Sequence, residues 1–193
     1  MIDLRMRRAD ARSAAMPALE RARRLRRRAT KSVDEEERFL EDRMFHLVAC
    51  GHGASDPALR EDLRALAAAL LPGPRTWLAA ALTDADIGNG GLWQFFGNST
   101  GDLTPFAITA LRDIGSPARA ELVERAARAL FGTSDVPLHA ERLEILDRRP
   151  QDDATGAIVD ALDDAYITIA TEAPIDPLLR AFALPRAAEF FLD

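Results

Sequence analysis

The feature that most limits what this chain can fold into is helical periodicity, cut at short intervals by proline and glycine. A helix expected from about Asp153 to Thr171 shows it best. Ala154, Ile158, Ala161, Leu162, Ala165 and Ile169 recur at i, i+4, i+7, i+8, i+11 and i+15. At about 100° per residue, all six lie within about 60° of one direction. Asp153, Asp160, Asp163 and Asp164 fall on the opposite side of that wheel, and Ile167 points with them. No segment alternates apolar and polar residues for long enough to make a strand. The expectation is an all-α, bundle-like domain of eight or nine helices joined by short Pro/Gly loops.

Punctuation places the other helices. Ser32 to Glu35 has capping-box spacing, and Leu40, Met44, Leu47 and Val48 follow it at helical intervals up to Gly51. Asp56-Pro57 opens a helix buried along Leu59, Leu63, Leu66 and Leu70, with Pro72-Gly73-Pro74 as its expected end. A helix from about Arg75 to Ile87 buries Trp77, Leu78, Ala81, Leu82 and Ala85. Thr104-Pro105 caps a helix ending at Gly115. Ser116-Pro117 caps another, with Leu122, Val123, Ala126 and Leu130 inward and Gly132 closing it. Further helices are expected near Leu138–Leu146, from Asp176-Pro177 onward, and over Pro185–Leu192.

Charge divides the chain in two. Residues 1–31 hold 11 Lys/Arg and 3 Asp/Glu, a net +8; residues 32–193 hold 14 and 28, a net −14. The first part is therefore a basic arm and the second an acidic domain. Three readings are open for the arm: a disordered or loosely helical tail, a segment that binds nucleic acid or an anionic surface, and a segment that folds back on the acidic body. No apolar stretch follows its arginines, so it is not a secretory signal. No run is long and apolar enough to span a membrane. The single cysteine, Cys50, excludes an internal disulfide and fits a reducing, cytoplasmic setting.

The least average stretch runs from Gly88 to Leu103. It carries five of the eleven glycines, and Trp93, Phe95 and Phe96 lie within four positions. Asn89-Gly90-Gly91 is expected to break a helix and permit positive φ. A short helix carries Leu92 to Phe96. Asn98, Ser99, Thr100, Gly101 and Asp102 make a turn rich in side chains that bond to backbone.

Catalytic and metal patterns are sparse. His46, Cys50 and His52 are close together, but a metal site needs further ligands and His139 is distant. Glu-x-x-His and His-Glu-x-x-His are both absent. The glycines at 88–91 lack the Gly-Lys-Ser/Thr of a phosphate loop, and no Gly-x-Ser-x-Gly elbow occurs. Neighbouring acids such as Asp152-Asp153 and Asp163-Asp164 point about 100° apart on a helix, so they are not ready-made acid/base pairs. No catalytic residue, metal or cofactor is expected.

The spacing Asn89-Gly90-Gly91, Gln94-Phe95-Phe96, Asn98-Ser99, Gly101-Asp102-Leu103 resembles the signature of a bacterial domain-of-unknown-function family that includes a DNA-mimic protein. Ala110-Leu111 to Gly115, Leu162-Asp163-Asp164-Ala165-Tyr166 and Glu189-Phe190-Phe191 are similar in kind, so the likeness covers roughly residues 59 to 193. It implies an all-α fold in which the signature residues form corner and core. It also implies that at least one relative presents acids in a DNA-like array to a DNA-binding protein such as a transcription factor.

The expectation for this chain is a non-enzymatic, cytoplasmic interaction domain that binds a basic partner, with no direct nucleic-acid binding by its acidic body. The expected contacts are Asp153, Asp160, Asp163, Asp164 and Ile167, extended by Glu35, Glu36, Glu37 and Glu41. From Asp153 to Asp164 the rise is about 16 Å, whereas duplex DNA carries a charge every 1.7 Å or so. One helix is thus too sparse to imitate DNA without acids from others. Two alternatives stand beside this expectation. One is a small-molecule or enzymatic pocket on Asn89, Gln94, Asn98 and Asp102. The other is a structural or immunity-type interaction domain whose acids only solubilise it. The oligomeric state stays open.

Overall fold

A computed structural model describes residues 63–148 and 154–190 of the 193-residue chain. Those residues form α1 (Leu63–Ala69), α2 (Pro72–Gly97), a 3₁₀ turn (Ser99–Leu103), α3 (Thr104–Asp113), α4 (Pro117–Phe131), α5 (His139–Asp147), α6 (Ala154–Glu172), α7 (Ile175–Ala183), a second 3₁₀ turn (Leu184–Arg186) and α8 (Ala187–Phe190). Among the described residues there is no strand, and the all-α expectation holds. No helix among them is long and apolar enough to cross a membrane.

α2 is the central element and packs against α3, α6, α7 and α5. Its buried residues include Trp77, Leu78, Leu82, Ile87, Leu92, Phe95 and Phe96. Trp77, Ile87, Leu92, Phe95 and Phe96 join Leu111 of α3, Val123, Ala126 and Leu130 of α4, Val159, Leu162 and Tyr166 of α6, and Phe182 of α7 in the main core. A smaller cluster of Leu63, Ala67, Leu78, Leu82 and Leu103 holds α1. The ring of Phe96 meets Phe95 at 5.0 Å and Phe131 at 5.4 Å, both tilted, as aromatic quadrupoles prefer.

Four sequence expectations need correction. Pro72-Gly73-Pro74 begins α2 rather than ending the helix before it. Proline is tolerated in a first turn because the N–H it lacks would have no helical acceptor there. Ala85, expected inside, is exposed. Neither expected hydroxyl cap forms: Thr104 is the first residue of α3 and its hydroxyl donates to Gly101 O at 2.6 Å, and Ser116 precedes α4 but its hydroxyl accepts a bond from Arg119 Nη1 at 3.0 Å.

The buried face of α6 is the fourth. It comprises Gly156, Val159, Leu162 and Tyr166, while Ala154, Ala161 and Ile158 are exposed, Ile158 at 50%. The helix is turned about a quarter-turn from the most apolar orientation. The reason is polar: the inward face carries Asp163 and Tyr166, which find partners on α2. Burying a polar group is tolerable only where it is hydrogen-bonded.

Candidate interaction surface

The helix break at Gly90-Gly91 is real, and one glycine in it is obligatory. Gly90 (φ −163°, ψ 22°) and Gly91 (φ 78°, ψ −178°) leave helical geometry inside α2. A side chain at Gly91 would need positive φ, and its Cβ would collide with Asp163 Oδ2. The kink frees the N–H of Leu92, which donates to Asp163 Oδ1 at 3.1 Å. The kink and the distant Leu162–Tyr166 segment are therefore two halves of one joint.

The joint continues along α6. Trp93 Nε1 donates to Asp160 Oδ1 at 3.1 Å, and Tyr166 donates its hydroxyl to Asp84 Oδ1 at 3.0 Å. Asp160, Asp163 and Tyr166 stand at i, i+3 and i+6, so one seam of α6 meets α2 through three hydrogen bonds. Arg119, fully buried, backs the inner end. Its Nη2 donates to Ala173 O at 2.6 Å, its guanidinium lies 5.7 Å from the Tyr166 ring centroid, and its Nε approaches Asp84 Oδ1 at 3.2 Å as an ion pair rather than an aligned hydrogen bond. Burial pushes the Asp84 carboxyl above its ordinary value, and Arg119 and the Tyr166 hydroxyl oppose the rise only in part. Burial also raises the Tyr166 phenol, helped by the Asp84 charge.

The other side of the stretch is closed by a second arginine. Arg142 of α5 is fully buried. Its Nε donates to Phe96 O at 2.9 Å, its Nη2 to Asn98 O at 2.6 Å, and its Nη1 to Pro137 O at 2.9 Å and to the Asp102 carboxylate. It satisfies carbonyls that the end of α2 leaves without helical partners. Gly101 makes the space: a Cβ there would stand 2.8 Å from both Arg142 Nη2 and Phe95 O. Arg64 adds bonds to Asp102 O at 3.1 Å and Val136 O at 2.7 Å. Burial lowers the Arg142 pKa, an effect the Asp102 carboxylate opposes. Asp86 is also buried; its carboxylate takes Asn98 Nδ2 at 3.2 Å and the Thr100 hydroxyl.

These bonds engage the side chains of Gln94, Asn98 and Asp102, and of the polar signature residues Asp102 is the one that is buried. Asp102, Thr100 and Gly101 are buried, and Phe95 and Phe96 are wholly enclosed. Asn98 is exposed but tied to Asp86 through its amide, and Gln94 Nε2 reaches Asp86 O at 3.5 Å. Asn89 is exposed, and Ser99 is half-buried.

Of the expected contact residues, Asp160, Asp164 and Ile167 are exposed, Ile167 at 40%. They stand at i, i+4 and i+7 and share one outward stripe of α6. Asp163 is half-buried against the kink. Asp153, Glu35, Glu36, Glu37 and Glu41 lie outside the described residues, as do Asp152 and the cluster His46, Cys50 and His52. Among the described residues no group of three or more His, Cys, Asp or Glu is placed to hold a metal. Many other acids are engaged. Glu124 pairs with Arg128 at 2.8 Å and Arg112 at 2.5 Å, which holds its carboxyl below the ordinary range. Glu144 pairs with Arg148 at 3.2 Å, and Glu189 Oε2 accepts the Gly73 N–H at 2.8 Å. Sequence reasoning missed Arg119 and Arg142; a lone arginine inside a helical pattern reads as surface unless its acceptors are known.

An all-helical domain with a glycine-kinked, aromatic-cored signature corner and an acid-bearing helix beside it defines the class. Residues 68–186 match the family model described as DMP19-like protein, and the chain belongs to that family. No curated protein and no solved structure gives a significant match.

Proposed function

We propose that this protein is a non-enzymatic interaction domain whose acidic surface captures a basic, DNA-binding partner by standing in for DNA. Membership of the DMP19-like family supports a DNA-mimic role. The observation that carries the reading is the exposed stripe Asp160, Asp164, Ile167 on α6, bordered by half-buried Trp93. Two carboxylates about 6 Å apart along the axis, with an aliphatic and an aromatic neighbour, suit a partner rich in arginine. The signature corner serves instead to hold α6 in place, through the Leu92 N–H and Trp93 Nε1 beside its kink, and its Asp102 and Asn98 side chains are taken up by Arg142 and Asp86.

The reading requires capture that weakens with salt, since the attraction between exposed charges is screened over about 8–10 Å at ordinary ionic strength. The test is a pull-down at two salt concentrations with wild type and the Asp160→Ala/Asp164→Ala double variant. Partners retained equally at high salt and by the double variant would overturn the acidic-face reading.

A further inference from the structure

Asp163 differs from its two neighbours on the outer helix. One oxygen accepts the Leu92 N–H at 3.1 Å, and the other lies against Gly91, where no side chain intervenes. α2 presents to it that N–H and the glycine; the charged groups that act on it are Asp160 and Asp164, on its own helix. A half-buried carboxylate is thus held between two like charges with a single N–H to offset them.

We propose that this joint is an acid-sensitive switch: acid places a proton on Asp163, which keeps its place at the Gly91–Leu92 kink while the acidic side of α6, made of Asp160, Asp163 and Asp164, loses one of its three charges. The inference rests on the reading of α6 as the partner-binding face. The neutral acid still has a carbonyl oxygen for the Leu92 N–H, so the joint is not broken. Burial at the kink, then the Asp164 and Asp160 charges, raise the Asp163 pKa against the lowering effect of the Leu92 bond. A carboxyl raised in the folded state stabilises the fold fully below its unfolded pKa, and that contribution is lost as pH rises through the folded pKa. Acidification from neutral therefore strengthens the fold through this group while it weakens the acidic side of α6. Ordinary acid unfolding weakens both. Asp84, also raised by burial, shares the sign for stability, but its charge is met by Arg119 inside the seam.

The test uses the full chain, an Asp163→Asn variant and a hexa-arginine peptide as probe. Carboxyl NMR should show Asp163 titrating above an ordinary aspartate. Across that titration wild-type affinity for the peptide should fall about threefold, the effect of one unit charge about 7 Å away in water. Asp163→Asn should bind about threefold more weakly at neutral pH, show no such step, and melt at the same Tm as wild type or higher. A wild-type affinity that stays flat while Asp163 titrates, an ordinary or depressed Asp163 titration, or a lower Tm for Asp163→Asn would overturn the switch. Absence of peptide binding at neutral pH would overturn the binding-face reading itself, whatever the titration shows.

Discussion

Arg142 and Asp163 both reach from distant helices into the stretch between Gly90 and Leu103, yet they are treated in opposite ways. Arg142 is fully enclosed and donates to three carbonyls and a carboxylate. Asp163 is half-exposed, has one N–H, and stands beside two more acids. The first arrangement neutralises its charge and satisfies its donors; the second leaves negative charge at the surface. Each is reached across a glycine that leaves no room for a side chain, Gly101 for Arg142 and Gly91 for Asp163. One half of the stretch therefore serves folding, and the other sets the position of a charged helix face.

The contrast can be broken by mutation. The largest effect is expected from Arg142→Met, which leaves the Asp102 carboxylate buried without its cation. Breaking one side of a buried pair costs about 3–5 kcal/mol, to be read from urea denaturation. Gly91→Ala should cost about 1–3 kcal/mol from positive φ, plus the collision with Asp163 Oδ2. Asp163→Gly in the same chain should recover the collision part and not the rest, which a double-mutant cycle separates. A smaller loss, about 1 kcal/mol, is expected for Tyr166→Phe, which removes the hydroxyl bonded to Asp84. Smallest of all, Asp160→Ala/Asp164→Ala should cost about 0.5 kcal/mol, the low end for a hydrogen bond, because the one Asp160 accepts from Trp93 Nε1 is exposed. A large loss there would mean that the stripe serves folding as the corner does.

Much of the fold was legible because its signals are local. The break at Asn89-Gly90-Gly91, the proline openings at 105 and 117, and the inward residues of α4 follow from backbone sterics and periodicity. The face of α6 was not legible. Counting apolar residues favours Ala154, Ile158 and Ala161, whereas the helix turns Asp163 and Tyr166 inward to meet Leu92 and Asp84. Those partners lie 71 and 82 positions away, beyond the reach of any periodicity argument. The same holds for Arg142, whose acceptors lie 40 or more positions upstream except for Pro137. The stripe Asp160, Asp164, Ile167 was readable from spacing alone, since three residues at i, i+4 and i+7 share a face whichever way the helix turns.

The central claim is that the α6 acids capture a basic partner in place of DNA while the corner beside them only holds α6 in position. Competition by a short DNA duplex tests it most directly. The partner is captured on the full chain at low salt, and the duplex is then titrated in. The account predicts stoichiometric release of the partner by duplex, and no capture by Asp160→Ala/Asp164→Ala despite its near-native stability. A partner that stays bound in saturating duplex, or that the double variant retains with wild-type affinity, would contradict it.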